Sequence, residues 1–199
     1  LYADGETRVH SPAPTRDHTE RMLRAFGADI GRAGDGAIVL RGPARLTARD
    51  VVVPADISSA AFFLVAASIC PGSDLLLEEV GVNGTRTGII DALRLMGADS
   101  TLENLRHLGG EPVANLRVRT AALHGARIPE ALVPLAIDEL PVLFVAAAAA
   151  EGETLVTGAA ELRVKESDRL ASMADGLARL GVDVDLLEDG MRIRGRGRL

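Results

Sequence analysis

The sequence predicts an α/β protein built from repeated helix and strand units, and three observations carry that prediction. First, TERMLRAFGADI (19–30), IIDALRLMGADS (89–100) and MADGLARLGVDV (173–184) each set apolar residues at helical spacing, then a glycine (Gly27, Gly97, Gly181), then a short alternating stretch. Glycine just past a helix takes the left-handed backbone cheaply, so the unit reads helix, glycine, strand. Second, DISSAAFFLVAASICPGSDLLLEEV from Asp56 echoes DELPVLFVAAAAAEGETLVTGAA from Asp138. Each has an Asp in N-cap position, an apolar helix buried on nearly all sides, a glycine (Gly72, Gly152) and a strand. A recurrence at about 80 residues marks supersecondary repeats rather than a short-period solenoid. Third, AGDGA at 33–37 and LEDGM at 187–191 read as hairpin turns, because Asp-Gly suits the tight turns that match strand twist.

Taken in order, the first helix and strand lead through the 33–37 hairpin to VVVP at 51–54, read as a strand that Pro54 ends. A boundary is expected near Val52 to Asp56, where this segment meets the first buried helix. The stretch from Asn104 to Ile128, with Gly109, Gly110 and Pro112 followed by ANLRVRTA, reads as a loop and then a half-exposed strand. After the helix from Asp138 come a strand, a strand-like ELRV, a helix over about 167–180 and the closing hairpin.

With 47% apolar and 25% charged residues in 199, the chain can bury a sizeable core in one or two domains. A net charge of -6 gives no general attraction to nucleic acid or anionic membranes, so anion binding must come from a local cluster of cations. The one cysteine, Cys70, lies in an apolar run and is expected in the core, consistent with a reducing cytoplasm. No signal-peptide pattern opens the chain, and its apolar runs fall short of the roughly 20 residues that span a bilayer. His10, His18, His107 and His124 are scattered without cysteine partners, and the glycines at 31–36 form no nucleotide-binding signature, so neither metal nor cofactor is expected. No G-x-S-x-G elbow occurs. The chain starts without Met and stops just after a predicted strand, which suggests a fragment.

The densest charge lies in ELRVKESDRL at 161–170. Lys165 and Arg169 are four apart, so a helical backbone would turn both heads to one side, near the positive end of the helix dipole. Cations there are disfavoured, whereas phosphate and carboxylate ligands are welcomed. Two readings stand: a solvated helix end in which Glu161, Glu166 and Asp168 neutralise Arg163, Lys165 and Arg169, or a site that holds an anion.

RVKESDRL, with DELPVLFVAAAAAEGETLVTG before it, VPADISSAAFFLVAAS at 53–68, TRDHTERMLRAFGAD at 15–29 and NGTRTGIIDALRLMGAD at 83–99, resembles the enolpyruvylshikimate-3-phosphate synthase family, in particular its glyphosate-tolerant bacterial class. The resemblance implies the enolpyruvyl transferase fold, an inside-out α/β barrel of two domains with three βαβαββ units each. Residues 1–53 would close the first domain and 54–199 would supply two units of the second. It also implies transfer of the enolpyruvyl group of phosphoenolpyruvate to the 5-hydroxyl of shikimate 3-phosphate, without cofactor, metal, nucleic acid or membrane, in the cytoplasm. Matched by motif, Asp138 stands for the general base at the shikimate hydroxyl, and Glu166 for a glutamate in proton transfer at the methylene. Lys165 and Arg16 stand for contacts to shikimate 3-phosphate, and Arg169 for the arginine that grips phosphoenolpyruvate. From the residues alone Asp138 reads as a helix cap, and Arg16 as a partner of Asp17 or Glu20. Arg86 reads as structural. Ala55 stands where many relatives have Gly, and Glu161 where other branches place an Asn; neither is given a role. The family's N-terminal Lys, Ser-Ser-Gln and Asp-His-Arg motifs do not occur, so the isolated chain is expected to be inactive and to need the remaining parts of its parent enzyme. The alternatives are a UDP-N-acetylglucosamine enolpyruvyl transferase and a non-catalytic structural fragment.

Overall fold

The computed structural model describes residues 1–11 and 15–197. The elements run β1 (Gly5–Val9), α1 (His18–Ala25), β2 (Asp29–Arg32), β3 (Ile38–Gly42), α2 (Ile57–Ile69), β4 (Asp74–Gly81), α3 (Gly88–Leu95), β5 (Asp99–Leu108), β6 (Glu111–Arg119), α4 (Leu140–Ala149), β7 (Glu151–Val156), α5 (Arg169–Arg179), β8 (Asp183–Leu186) and β9 (Met191–Arg196). Three antiparallel sheets result, in orders β1-β3-β2, β4-β6-β5 and β7-β9-β8. The second and third gain a parallel edge, Ala55 beside Val80 in one, and His124 beside Glu151 with Arg127 beside Leu155 in the other. Residues 55–119 and 124–196 therefore each run extended segment, helix, strand, helix, strand, strand, which is the βαβαββ unit.

The helix, glycine, strand echo holds at every copy. Gly27, Gly97 and Gly181 take φ of +95°, +90° and +81° immediately after α1, α3 and α5, a backbone that a side chain would strain. Both Asp-Gly hairpins form as well. Asp35 Oδ1 accepts from Ala37 N at 3.1 Å, and Leu187 N donates to Gly190 O at 3.0 Å.

At the centre lies α4, against α2, α3, α5, β7 and β9. Leu140, Leu143, Phe144, Ala146 and Ala147 on it are wholly buried, and its alanines let neighbouring backbone come close. The nearest is Gly195 on β9, where an added Cβ would stand 2.1 Å from Ala150 O and 2.4 Å from Ala147 O. Gly195→Ala should destabilise the chain by about 1–3 kcal/mol, read as a lower urea midpoint at unchanged slope.

Several sequence expectations change. VVVP is not a strand: Val51, Val52 and Val53 are exposed, and only Ala55 pairs with a neighbour. The stretch from 104 to 110 is not a loop but the second half of β5 and the two-residue turn of a hairpin with β6; a register shift between Glu103 and Arg106 breaks the alternation that would have marked it. ELRV is a 3-10 turn over Ala160–Val164, with only Leu162 buried. Arg163 ties it to the 187–188 carbonyls at 2.5 and 2.6 Å. Cys70 is exposed, because it follows the last turn of α2. Nor is α2 buried all round, since Phe62 and Phe63 are 64% and 57% exposed.

Candidate active site

The site grows from a difference between the two echoed helices. Asp56 caps α2, its carboxylate accepting from Ser59 N at 2.9 Å. Asp138 does not cap α4. The N-cap position falls one residue later, on Glu139, which makes no side-chain cap bond, and Pro141 in the first turn leaves one fewer N–H to satisfy. The carboxylate of Asp138 is thereby free to face other side chains.

Three cations from two segments, each distant from it in sequence, meet it. Arg16, just ahead of α1, reaches Oδ2 at 2.6 Å; Arg169, the first residue of α5, reaches Oδ1 at 3.3 Å; Lys165 Nζ stands 3.9 Å from Oδ1. Lys165 is the only lysine in the chain. Two further carboxylates close the cluster, Glu161 on Lys165 at 2.5 Å and Glu166 on Arg169 at 2.6 Å. The side chains of Lys165, Arg169 and Asp138 are 25%, 27% and 31% exposed, so they line a surface rather than a core, while Glu166 at 82% projects into solvent.

The route to this convergence is not the one the spacing suggests. Lys165 precedes the helix, in extended backbone that leaves the 3-10 turn, and α5 starts only at Arg169. The two heads reach the same carboxylate from a bent segment that leads into the helix, not from a shared helical face. Asp168 caps α5, accepting from Ala171 N at 2.9 Å and from Arg163 at 2.8 Å. Arg16 pairs with Asp138, whereas Asp17 is taken by Arg21 at 2.9 Å.

Three cations face three carboxylates here, and the pairs are partly exposed. Such pairs contribute about 0–1 kcal/mol each, while hydrogen bonds from Arg or Lys to a phosphate or carboxylate ligand reach about 1.5–3 kcal/mol. Cations held this loosely can turn to an incoming anion at little cost. Burial pushes the Asp138 carboxyl up, but the hydrogen bond and charge of Arg16, with the charges of Lys165 and Arg169, outweigh it and hold it below its ordinary value. Glu166 is also held low, by its own backbone N–H and then by Arg169.

A carboxylate with a lower pKa folded than unfolded favours folding in its charged form. Its contribution is complete above the unfolded value of about 3.9 for Asp and fades as pH falls through the lower folded value. The melting temperature should therefore drop below about pH 4. Asp138→Asn should make that drop shallower in circular-dichroism melts between about pH 2 and 7.

Glu139 and Ser58 escaped the sequence reading. Glu139 is buried beside Asp138, and Ser58 on α2 donates to its Oε1. The available signal was a second acid opening an otherwise apolar helix. Arg86, read as structural, bonds Asp56 at 3.0 Å and Ser58 Oγ at 2.7 Å. A cavity of about 680 Å³ lies elsewhere, between Met22, Phe26, the Val51–Val53 strap and Leu108, and none of the five predicted site residues lines it. Its walls are mostly apolar, with Arg49 and an already engaged Arg86 among them, whereas three cations meet one carboxylate at Asp138, so that cluster is the better candidate for anion chemistry. Among the described residues no His/Cys/Asp/Glu group is placed to hold a metal ion, and no helix is long and apolar enough to cross a membrane.

Comparison with known proteins gives one consistent family. Residues 1–198 match the family model described as EPSP synthase (3-phosphoshikimate 1-carboxyvinyltransferase). The chain is 65% identical over 196 residues to a 3-phosphoshikimate 1-carboxyvinyltransferase of Alkalilimnicola ehrlichii, covering 98% of this chain and 44% of that protein. A protein of the same name from Xanthomonas euvesicatoria pv. vesicatoria is 65% identical over 195 residues, with the same coverage. A crystal structure of EPSP synthase from Acinetobacter baumannii superposes with a TM-score of 0.93 at 57% identity, covering 98% of this chain and 44% of that one. The chain thus spans less than half the length of these relatives.

Proposed function

The chain belongs to the EPSP synthase family, and from that premise we propose that it supplies the Asp138 side of the active cleft in an enzyme that transfers the enolpyruvyl group of phosphoenolpyruvate to the 5-hydroxyl of shikimate 3-phosphate. The observation that carries this reading is the convergence of Arg16, from one segment, and of Lys165 and Arg169, from another, on Asp138. Both substrates are polyanions, so their binding needs such cations, and the reaction needs carboxylates among them.

In this reading Arg16 and Lys165 hold shikimate 3-phosphate, and the planar guanidinium of Arg169 takes phosphoenolpyruvate through paired hydrogen bonds. As they turn to the substrates, Asp138 loses the partners that keep it acidic, its pKa climbs, and it becomes a competent proton acceptor. It takes the proton of the 5-hydroxyl as that oxygen bonds to C2 of phosphoenolpyruvate, while C3 gains a proton to become a methyl group. Glu166 is the acid and base at C3. Returning a C3 proton to it expels inorganic phosphate, restores the C2=C3 double bond and leaves the 5-oxygen in an enol ether.

Residues 1–53 act here as the end of the first domain and 54–199 as two of the three units of the second. In support, residues 5–42 form a sheet of their own, and the first parallel pairing of the next unit starts at Ala55. The remaining parts of the enzyme are the partners of this chain, and the cytoplasm is its compartment. The test is phosphate release by a full-length protein carrying this chain, with phosphoenolpyruvate and either shikimate 3-phosphate or UDP-N-acetylglucosamine as acceptor. Turnover with the first supports the reading; preference for the nucleotide sugar overturns it.

A further inference from the structure

We propose that Glu139 is a positioning residue which, through Ser58 and Arg86, fixes the Asp138 carboxylate at the anion site. Glu139 is 3% exposed at the head of an apolar helix, a costly place for a carboxyl group, and it does not cap that helix. The neighbouring Leu140, Leu143 and Phe144 are wholly buried, so nothing in the packing calls for an acid.

The bond directions reveal a built connection. Asp56 is held in place as the cap of α2, and its Oδ1 accepts from Arg86. The same Arg86 nitrogen donates to Ser58 Oγ at 2.7 Å. A hydroxyl that accepts from an arginine has one hydrogen left to give, and Ser58 gives it to Glu139 Oε1. A chain of side chains therefore runs from the first turn of α2 to the residue next to Asp138, joining the two βαβαββ units at their helix starts.

Its far end is fixed by backbone bonds as well. Glu139 N donates to Ala136 O at 2.9 Å, and Leu143 N to Glu139 O at 3.0 Å. With side chain and backbone of Glu139 both held, the peptide that joins it to Asp138 is anchored on one side, and the Asp138 carboxylate is presented where Arg16, Lys165 and Arg169 arrive. Burial raises the Glu139 carboxyl above its ordinary range, with Ser58 and the charge of Arg86 opposing this only in part and Asp138 adding to it, which fits a group kept for its geometry.

That Asp138 is the working carboxylate rests on the proposed function; that Glu139 positions it does not, and the two are tested apart. In a full-length protein carrying this chain, with aspartate carboxyl carbons labelled with ¹³C, the Asp138 resonance is identified by its loss in Asp138→Asn and titrated. Glu139→Gln keeps an acceptor for Ser58 but removes a like charge, so the Asp138 midpoint should stay or fall. Glu139→Ala and Ser58→Ala release the turn from its anchor, so the midpoint should rise by about half a unit or more as the cations separate from it. A midpoint that stays or falls in both alanine variants overturns the positioning role, and Ser58→Ala decides the matter if Glu139→Ala does not fold. In turnover, Glu139→Ala should lower kcat about tenfold at nearly unchanged KM, with Glu139→Gln restoring most of it. Absence of wild-type turnover would overturn the proposed function and leave the titration to decide the role of Glu139.

Discussion

Asp138→Asn in a full-length protein carrying this chain lowers kcat by about 10²- to 10⁴-fold, the range for loss of a positioned general base. Asparagine keeps the shape and one acceptor oxygen but cannot take a proton from the substrate hydroxyl. The same substitution releases Arg16, Lys165 and Arg169 from their shared carboxylate, so shikimate 3-phosphate should bind as well as before or more tightly. The loss should therefore fall on kcat, with KM level or reduced. A kcat within about threefold of wild type would remove Asp138 from the proton transfer.

Purified by itself, the 199-residue chain should show no measurable transfer, although its family membership is secure. Its relatives are more than twice as long, since it covers 44% of each. Phe62 and Phe63 stand exposed on α2, the counterpart of the central α4, on which no residue is exposed. Under the proposed function, the remaining parts of the enzyme would cover this exposed aromatic surface. Under the proposed function, phosphoenolpyruvate held from one side would lack the enclosure and orientation that lower the barrier, and orientation alone accounts for about 7–11 kcal/mol in well-aligned reactions. Phosphate release by the isolated chain at the full-length rate would contradict this.

Local chemistry made much of the fold legible in the sequence. Gly27, Gly97 and Gly181 mark helix ends because only a left-handed backbone leaves a helix there, and that requirement does not depend on the rest of the fold. The Asp-Gly hairpins are visible for the same reason. Long-range pairing was hidden: β5 carries a register irregularity, and VVVP has strand-forming residues but no neighbour to pair with. The candidate site shows the same division. Residue types in RVKESDRL point to an anion, yet the approach of Lys165 and Arg169 to Asp138 depends on a bent segment before the helix, and that of Arg16 on a contact across 122 positions. Neither has a local signal. Asp138 looked like a cap because Asp56 is one; a shift of the helix start by one residue, to Glu139, changes its task.

Calorimetric titration of shikimate 3-phosphate into the full-length protein and its Lys165→Met variant tests most directly whether these cations serve substrate anions. Lys165 lies outside the helix and its charged partners are partly exposed, so the variant should keep its melting temperature within a few degrees. The account predicts that affinity falls about 10- to 100-fold, the 1.5–3 kcal/mol of a charged hydrogen bond. Equal affinity in the two proteins would contradict it, and would return Lys165 to the role of a solvated surface charge.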